Sequence, residues 1–145
     1  MDYSQIILAA AKAAKISGAM LLAVCMHETG LNNVTVEQDG GSPTYGLCQV
    51  KYNTAKMLGY QGPKEGLKSP KENAKWAAIY LKYQYKRYAG NWCKSISAYN
   101  AGSYVESLKE PGHPRNLKYV MNVKKKLSTI FQKNLSCDME YASVP

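Results

Sequence analysis

The chain has 145 residues, of which 46% are hydrophobic and 20% are charged, and its formal net charge is +9. This length and composition predict one soluble globular domain that buries a core without disulfide or metal staples. Lys12 and Lys15 interrupt the long apolar segment 6–26, which excludes a membrane-spanning helix there. The positive charge favours anionic partners, among them nucleic acid, anionic lipid and acidic cell-wall polymers, without choosing among them.

The first predicted element is a helical hairpin. Helical periodicity over residues 3–15 places one apolar stripe on one face, formed by Ile6, Ile7, Ala10, Ala11 and Ala14. Ser17 is suited to cap a second helix, and Gly30 is suited to end it. Residues 21–26 of this second helix are apolar on every side, which predicts a buried helix rather than an amphipathic one.

Glu28 lies in the last turn of this second helix. Burial and the negative end of the helix dipole both disfavour a carboxylate, so we expect the pKa of Glu28 to be raised. A raised pKa would let Glu28 act as a general acid near neutral pH. The alternative is that Glu28 marks the solvated end of a core helix.

A small β region is predicted next. Residues 31–37 alternate with period two and lead into a turn signal at 39–41, and residues 42–50 form a loop that tightens into a second short apolar strand. Asn53 is a candidate cap for a short helix that Gly59 ends. The loop containing Ser42 and Gln49 is therefore expected to fold back over Glu28.

The rest of the chain is predicted to be helical. The pattern Ser-Pro-x-Glu at 69–72 is typical of a capping box and starts a helix that runs to about Tyr88. Further helices are predicted from Asn91 to Gly102, from Ser103 to about Lys109, and from Arg115 to Lys133. The last of these is expected to bury Val120, Val123, Leu127, Ile130 and Phe131. Residues 134–145 are predicted to form a tail.

The four cysteines, Cys25, Cys48, Cys93 and Cys137, show no metal-binding spacing. An even number permits two disulfides, but a chain of this size does not need them, so we expect free thiols. Cys25 is expected to be a small core residue. We expect no metal and no cofactor.

Three motifs resemble the soluble lytic transglycosylase (SLT) domain, a lysozyme-like family that cleaves bacterial peptidoglycan. They are Glu-Thr-Gly at 28–30, Gly-Leu-Cys-Gln at 46–49 and Ala-Tyr-Asn-Ala-Gly at 98–102, and a later Tyr-Val pair at 119–120 also has a counterpart. Two departures are Thr29, where serine is usual, and Cys48, where methionine is usual. The resemblance covers about residues 4–132 and implies a mainly α, lysozyme-like domain over 1–133, with the β region after the catalytic helix.

The resemblance also implies a mechanism. Glu28 would act first as general acid and then as general base at the β-1,4 bond between N-acetylmuramic acid and N-acetylglucosamine, with formation of a 1,6-anhydro product. Substrate contacts would come from Ser42, Gln49, Tyr99, Asn100 and Tyr119. The partners would be peptidoglycan glycan strands, with no nucleic acid and no membrane insertion.

Two other functions remain open from the sequence. A hydrolytic muramidase similar to goose-type lysozyme would need Asp39 or Glu37 to activate water. A non-catalytic wall-binding or virion structural module would bind glycan without cleaving it. Charge alone suggests a nucleic-acid binder, but no nucleic-acid motif supports that reading.

Residues 1–5 lack the positive charge of a secretory signal peptide. We therefore expect the protein to be a short phage-type member of the family. It would reach the periplasmic or extracellular wall with virion or lysis-system proteins, as a virion-borne enzyme or an endolysin.

Overall fold

The computed structural model describes residues 2–39 and 41–131, and for residues 38 and 39 it describes the backbone only. The described chain contains six α-helices: α1 Ser4–Ala14, α2 Gly18–Thr29, α3 Tyr52–Met57, α4 Pro70–Arg87, α5 Trp92–Ala101 and α6 Leu117–Phe131. Three short strands, β1 Thr35–Asp39, β2 Ser42–Tyr45 and β3 Val50–Lys51, lie between α2 and α3, and a 3-10 helix, Lys64–Lys68, precedes α4. The predicted mainly helical architecture with a small β region after α2 is confirmed.

The strands form one antiparallel sheet in the order β1-β2-β3. A strand over 31–37 and the glycine turn after it were predicted. The second strand was predicted at the apolar end of 42–50, whereas β2 forms at the start of that segment, and the β1–β2 register shifts between Val36 and Asp39. The third strand was not predicted. Its two residues pair with Thr44 and Tyr45, which become neighbours only because the intervening loop reverses the chain.

The chain divides into two compact units, Met1–Tyr80 and Leu81–Pro145. In the first unit α1 packs against α2, and the core includes Ile7, Met20, Leu21, Val24, Leu47 and Leu67. In the second unit α5 packs against α6, and the core includes Leu81, Ile96, Val120, Val123 and Leu127. The single domain predicted over 1–133 stays a prediction, and the tail at 134–145 lies outside the described residues.

Local capping follows the sequence closely. The Ser17 hydroxyl accepts a hydrogen bond from the Met20 amide at 3.2 Å, and Gly30 ends α2 in the left-handed conformation with φ of 65°. The Ser69 hydroxyl accepts from the Glu72 amide at 3.4 Å at the start of α4, and the Asn91 side chain accepts from the Lys94 amide at the start of α5. These predicted caps are confirmed.

Two predicted helix features are wrong. Asn53 does not cap α3. The helix already begins at Tyr52, so Lys51 occupies the cap position, where its side chain makes no capping bond. Residues 103–109 do not form a helix. Their backbone groups pair across the reversal at 111–114, with the Ser107 amide donating to the His113 carbonyl and a bridge between Glu106 and Pro114.

The predicted burial of α6 is correct for three of its five residues. Val120, Val123 and Leu127 are fully buried, whereas Ile130 is 38% exposed and Phe131 is half-buried. The last turn of the helix therefore extends beyond the core of its unit.

The expectation of free thiols is wrong for two cysteines. Cys25 and Cys48 form a disulfide with their Cα atoms 4.4 Å apart, and both side chains are fully buried. The loop after β2 folds back onto α2, which brings together residues 23 positions apart in the sequence. Cys93 is a buried thiol in α5, and Cys137 lies outside the described residues.

No helix in the part of the chain covered by 2–39 and 41–131 has the length and apolar character needed to cross a membrane.

Candidate active site

Helix α2 runs from the core of the first unit toward its surface, and Glu28 lies in its last turn. All residues from Met20 to Cys25 are buried, and burial decreases over the last turn, so that Glu28 is half-buried. A polar side chain at the end of an otherwise apolar helix can reach solvent and a ligand while its backbone stays held by the core. This position fits a carboxyl group that exchanges protons with a bound substrate.

The loop at 46–49 is attached directly to the end of α2. The Thr29 hydroxyl donates a hydrogen bond to the Leu47 carbonyl at 2.7 Å, and the Cys25–Cys48 disulfide joins the same two segments. Thr29 follows Glu28 directly, and Cys25 lies three residues before it, so the two attachments lie on either side of Glu28 along the helix. The expected return of the loop to this helix end is confirmed.

Gln49 has all its observed hydrogen bonds inside this loop region. Its Nε2 atom donates to the carbonyls of Val34 at 3.0 Å and Gly46 at 2.9 Å, and its Oε1 atom accepts from the Thr44 hydroxyl. Its φ of 54° is in the left-handed region. Both amide hydrogens are therefore used to brace the loop, and the predicted contact of Gln49 with glycan, which stays a prediction, would involve Oε1.

Asn73 of α4 also binds this loop. This role of Asn73 was not predicted from the sequence. Its fully buried side chain accepts from the Cys48 amide at 2.9 Å and donates to the carbonyls of Tyr45 at 2.5 Å and Leu67 at 2.8 Å. A buried amide group with all these bonds satisfied specifies one loop conformation. The only sequence signal for this role of Asn73 is its position among the alanines that α4 buries.

Ser42 lies half-buried at the start of β2, where it pairs with Asp39 of β1. It lines a small cavity of about 80 Å³ together with Pro43, Tyr45, Lys51, Tyr52, Asn53 and Lys64. The Lys56 and Lys64 ammonium groups lie 5.1 and 5.6 Å from the centre of the Tyr52 ring, an arrangement typical of cation–π contacts. Ser42 therefore borders a surface that is both aromatic and cationic.

The two acidic residues considered as water-activating groups belong to the β1–β2 hairpin. Glu37 is exposed on β1. Asp39 ends the same strand, and its side chain lies outside the described atoms. Their backbone positions leave both the transglycosylase and the muramidase readings open.

The second unit carries the other predicted site residues around the end of α5. Tyr99 is buried with 5% exposure, Asn100 is exposed, and Tyr119 is half-buried on α6. The Asn100 Oδ1 atom accepts from Asn116 Nδ2 at 2.9 Å, and the same nitrogen donates to the Ser97 carbonyl at 3.0 Å. Asn116, which the sequence reasoning missed, therefore sets the orientation of the Asn100 amide.

Tyr60 and Tyr104 have raised pKa values. Burial is the main cause of the raised pKa of Tyr60, with further contributions from the nearby Glu72, Tyr52 and Glu65. Burial also dominates for Tyr104, where Glu106 and Cys93 add to the effect. Both phenols therefore stay neutral at physiological pH, and the Tyr60 hydroxyl donates to the Pro63 carbonyl at 2.7 Å.

A larger groove of about 480 Å³ lies in the first unit between α1 and α4 and is lined mainly by alanine and isoleucine side chains. Its lining includes none of the predicted site residues. Its apolar walls lack the convergent polar groups expected of a glycan site, so its size does not make it the candidate active site. Among the described residues, no group of three or more His, Cys, Asp or Glu is arranged to hold a metal ion.

Comparisons with known proteins show a matching family model and similar solved structures. A sequence model of the family described as Transglycosylase SLT domain matches residues 5–113. The fold is similar to that of an inactive mutant of the lytic transglycosylase Slt from Pseudomonas aeruginosa, with a TM-score of 0.71 and 20% identity over 88% of this chain. It is also similar to that of the 70 kDa soluble lytic transglycosylase from Escherichia coli, with a TM-score of 0.60 and 21% identity over 90% of this chain.

These likenesses confirm the predicted lysozyme-like fold. The chain spans 24% of the length of the Pseudomonas protein and 21% of the length of the Escherichia protein, so it matches one part of each.

Proposed function

We propose a function from one premise: this chain belongs to the transglycosylase SLT domain family, whose sequence model matches residues 5–113. The proposed function is that of a peptidoglycan lytic transglycosylase, which cleaves the bond between N-acetylmuramic acid and N-acetylglucosamine and forms 1,6-anhydro-N-acetylmuramic acid. The observation that carries this proposal is the half-buried Glu28 at the end of α2, beside a loop that two attachments hold in place.

In the proposed reaction Glu28 serves twice. Its protonated carboxyl group gives a proton to the glycosidic oxygen as the bond to C1 breaks. The 2-acetamido group of the sugar stabilises the cationic centre. The Glu28 carboxylate then takes the proton of the C6 hydroxyl, and that oxygen attacks C1 and closes the anhydro ring. The donated and recovered protons balance, so the reaction requires no second carboxylate.

The remaining predicted residues would bind the glycan. Asn100 presents an exposed amide whose Oδ1 atom is held by Asn116. Ser42 would contact a sugar beside the Tyr52 surface, and Gln49 would contribute its Oε1 atom. Tyr99 and Tyr119 would position the acetamido group of the sugar.

The direct test is the reaction of purified peptidoglycan with the wild-type chain and with Glu28→Gln. Loss of the acid–base group should lower kcat at least about 100-fold. The thermal midpoint should stay close to that of the wild type, because the substitution keeps the shape of a half-buried side chain. Turnover is measured by chromatography of released fragments, and folding by circular dichroism. Full turnover by folded Glu28→Gln would contradict the assignment.

Product mass separates the proposed reaction from its rivals. Anhydro products are one water lighter than hydrolysed products. The matched controls Glu37→Gln and Asp39→Asn should leave the rate and the anhydro product unchanged. Hydrolysed products that disappear in either control would instead identify a muramidase, whose two carboxyl groups stand roughly 6.5–9.5 Å apart in inverting enzymes. Glycan binding without any cleavage by the wild type would indicate a non-catalytic module.

The predicted delivery of the protein by a phage particle or a lysis system, and its virion or lysis partners, stay predictions.

A further inference from the structure

The two cysteines of the Cys25–Cys48 disulfide lie close in sequence to residues of the proposed active site. Cys25 lies three residues before Glu28, which is about one turn of the same helix. Cys48 lies directly before Gln49, in the loop that returns to this helix end. The bond therefore connects the two backbone segments that carry the proposed general acid and its neighbouring amide.

The disulfide is the covalent link between the loop and α2. Besides the disulfide, the Thr29 hydroxyl donates to the Leu47 carbonyl, and the Leu47 side chain is fully buried in the core of the first unit. Asn73 joins the loop to α4 and to Leu67, and it accepts a hydrogen bond from the amide of Cys48. Gln49 has a positive φ of 54°, a conformation that is costly for a residue other than glycine and needs support from its surroundings.

We propose that the Cys25–Cys48 disulfide is a positioning element of the active site, so that full catalytic activity requires the oxidised chain. This inference rests on the proposed function. With the bond closed, the loop and the Glu28 turn move as one body. With the bond open, the covalent link between α2 and the Gln49 end of the loop is lost, and displacement of that end would misplace the glycan relative to Glu28. A displacement of about 1 Å near a reacting centre can lower the rate about 100-fold.

The redox step balances through thiol–disulfide exchange. The two thiols lose two protons and two electrons as the sulfur–sulfur bond forms. A disulfide-bearing oxidant, either a small molecule or a protein, accepts both electrons in two exchange steps and leaves as two thiols. Disulfides persist in oxidising compartments and are reduced in the cytosol, so the chain would gain activity only after it leaves a reducing environment.

The test compares oxidised wild type, wild type reduced with dithiothreitol, and Cys25→Ala/Cys48→Ala. Alkylation followed by mass spectrometry counts the opened bonds as two additional modified cysteines. We expect kcat on purified peptidoglycan to fall about 10- to 100-fold in both disulfide-free forms, with a smaller change in KM. Circular dichroism at the assay temperature should show both forms folded. Reoxidation should restore kcat in the wild type and not in the double variant.

The matched control is Cys93→Ala, which removes a buried cysteine of α5 and leaves the disulfide in place. It should keep the wild-type kcat and the wild-type response to dithiothreitol. A folded double variant with wild-type kcat would overturn the proposal. Unfolding of both disulfide-free forms at the assay temperature would also overturn it, because the bond would then be a structural staple.

Hydrogen exchange provides a readout that does not depend on catalysis. Reduction should increase exchange at the amides of Gly46, Cys48 and Gln49, which donate to Val34, Asn73 and Gly46 in the folded loop. Amides in the middle of α2 should stay protected. If oxidised wild type does not cleave peptidoglycan, the proposed function fails, and unchanged exchange in the loop would independently refute the positioning role.

Discussion

At the scale of single residues, Gly46 shows why the loop beside Glu28 tolerates little change. Its φ is +76°, and a Cβ atom there would lie 2.5 Å from the Asn73 Nδ2 atom and 3.0 Å from the Leu67 carbonyl oxygen. Both the left-handed backbone and the close approach of a hydrogen-bonded amide exclude a side chain. We predict that Gly46→Ala lowers the free energy of unfolding by about 3 kcal/mol, from backbone strain plus disrupted Asn73 bonds.

Gly112 is the matched control, because its φ is +87° and a Cβ atom there would meet nothing within 4 Å. Gly112→Ala should therefore cost only the backbone strain, about 1–2 kcal/mol. Urea denaturation of both variants measures the difference. Equal losses would show that the Asn73 contact does not limit the loop.

At the scale of elements, helix α2 depends on its first turn as well as on its buried middle. The Ser17 hydroxyl caps the helix, whereas Asn53, the predicted cap of α3, is exposed and makes no capping bond. We predict that Ser17→Ala lowers the free energy of unfolding by about 1 kcal/mol. Asn53→Ala should stay within about 0.5 kcal/mol of the wild type. Chemical denaturation distinguishes the two, and a larger loss for Asn53→Ala would contradict the observed start of α3.

At the scale of the whole molecule, the net charge of +9 favours binding to anionic polymers, and the proposed substrate belongs to an anionic wall. Salt shortens the range of surface electrostatics, from about 10 Å at 0.1 M to about 3 Å at 1 M. We predict that binding of Glu28→Gln to purified peptidoglycan, measured by co-sedimentation, weakens as salt rises over this range. Lys125→Glu/Lys126→Glu, which reverses two exposed charges on α6, should weaken binding at low salt and reduce this dependence. Binding that is indifferent to salt would show that contacts other than charge dominate.

The sequence by itself determined the elements whose causes are local. Capping groups within a few residues determine the helix starts at Ser17, Ser69 and Asn91 and the helix end at Gly30. Periodicity and cap signals therefore placed these boundaries correctly. The apolar run and Gly30 likewise placed Glu28 in the last turn of a helix. Local signals also misled at two places. Asn53 does not cap α3, and residues 103–109 do not form a helix, because the competing partners of their backbone groups lie beyond the next turn.

Only the tertiary structure decided what surrounds Glu28. The Cys25–Cys48 bond, the Asn73 contacts with Tyr45 and Cys48, and the Gln49 bond to Val34 join residues between 15 and 28 positions apart, and no local pattern specifies such pairs. Their physical basis is chain reversal: once the loop after β2 folds onto α2 and α4, its buried polar groups must find partners there. A spacing pattern can therefore predict which residue types are present at the site, while the fold determines which of them touch.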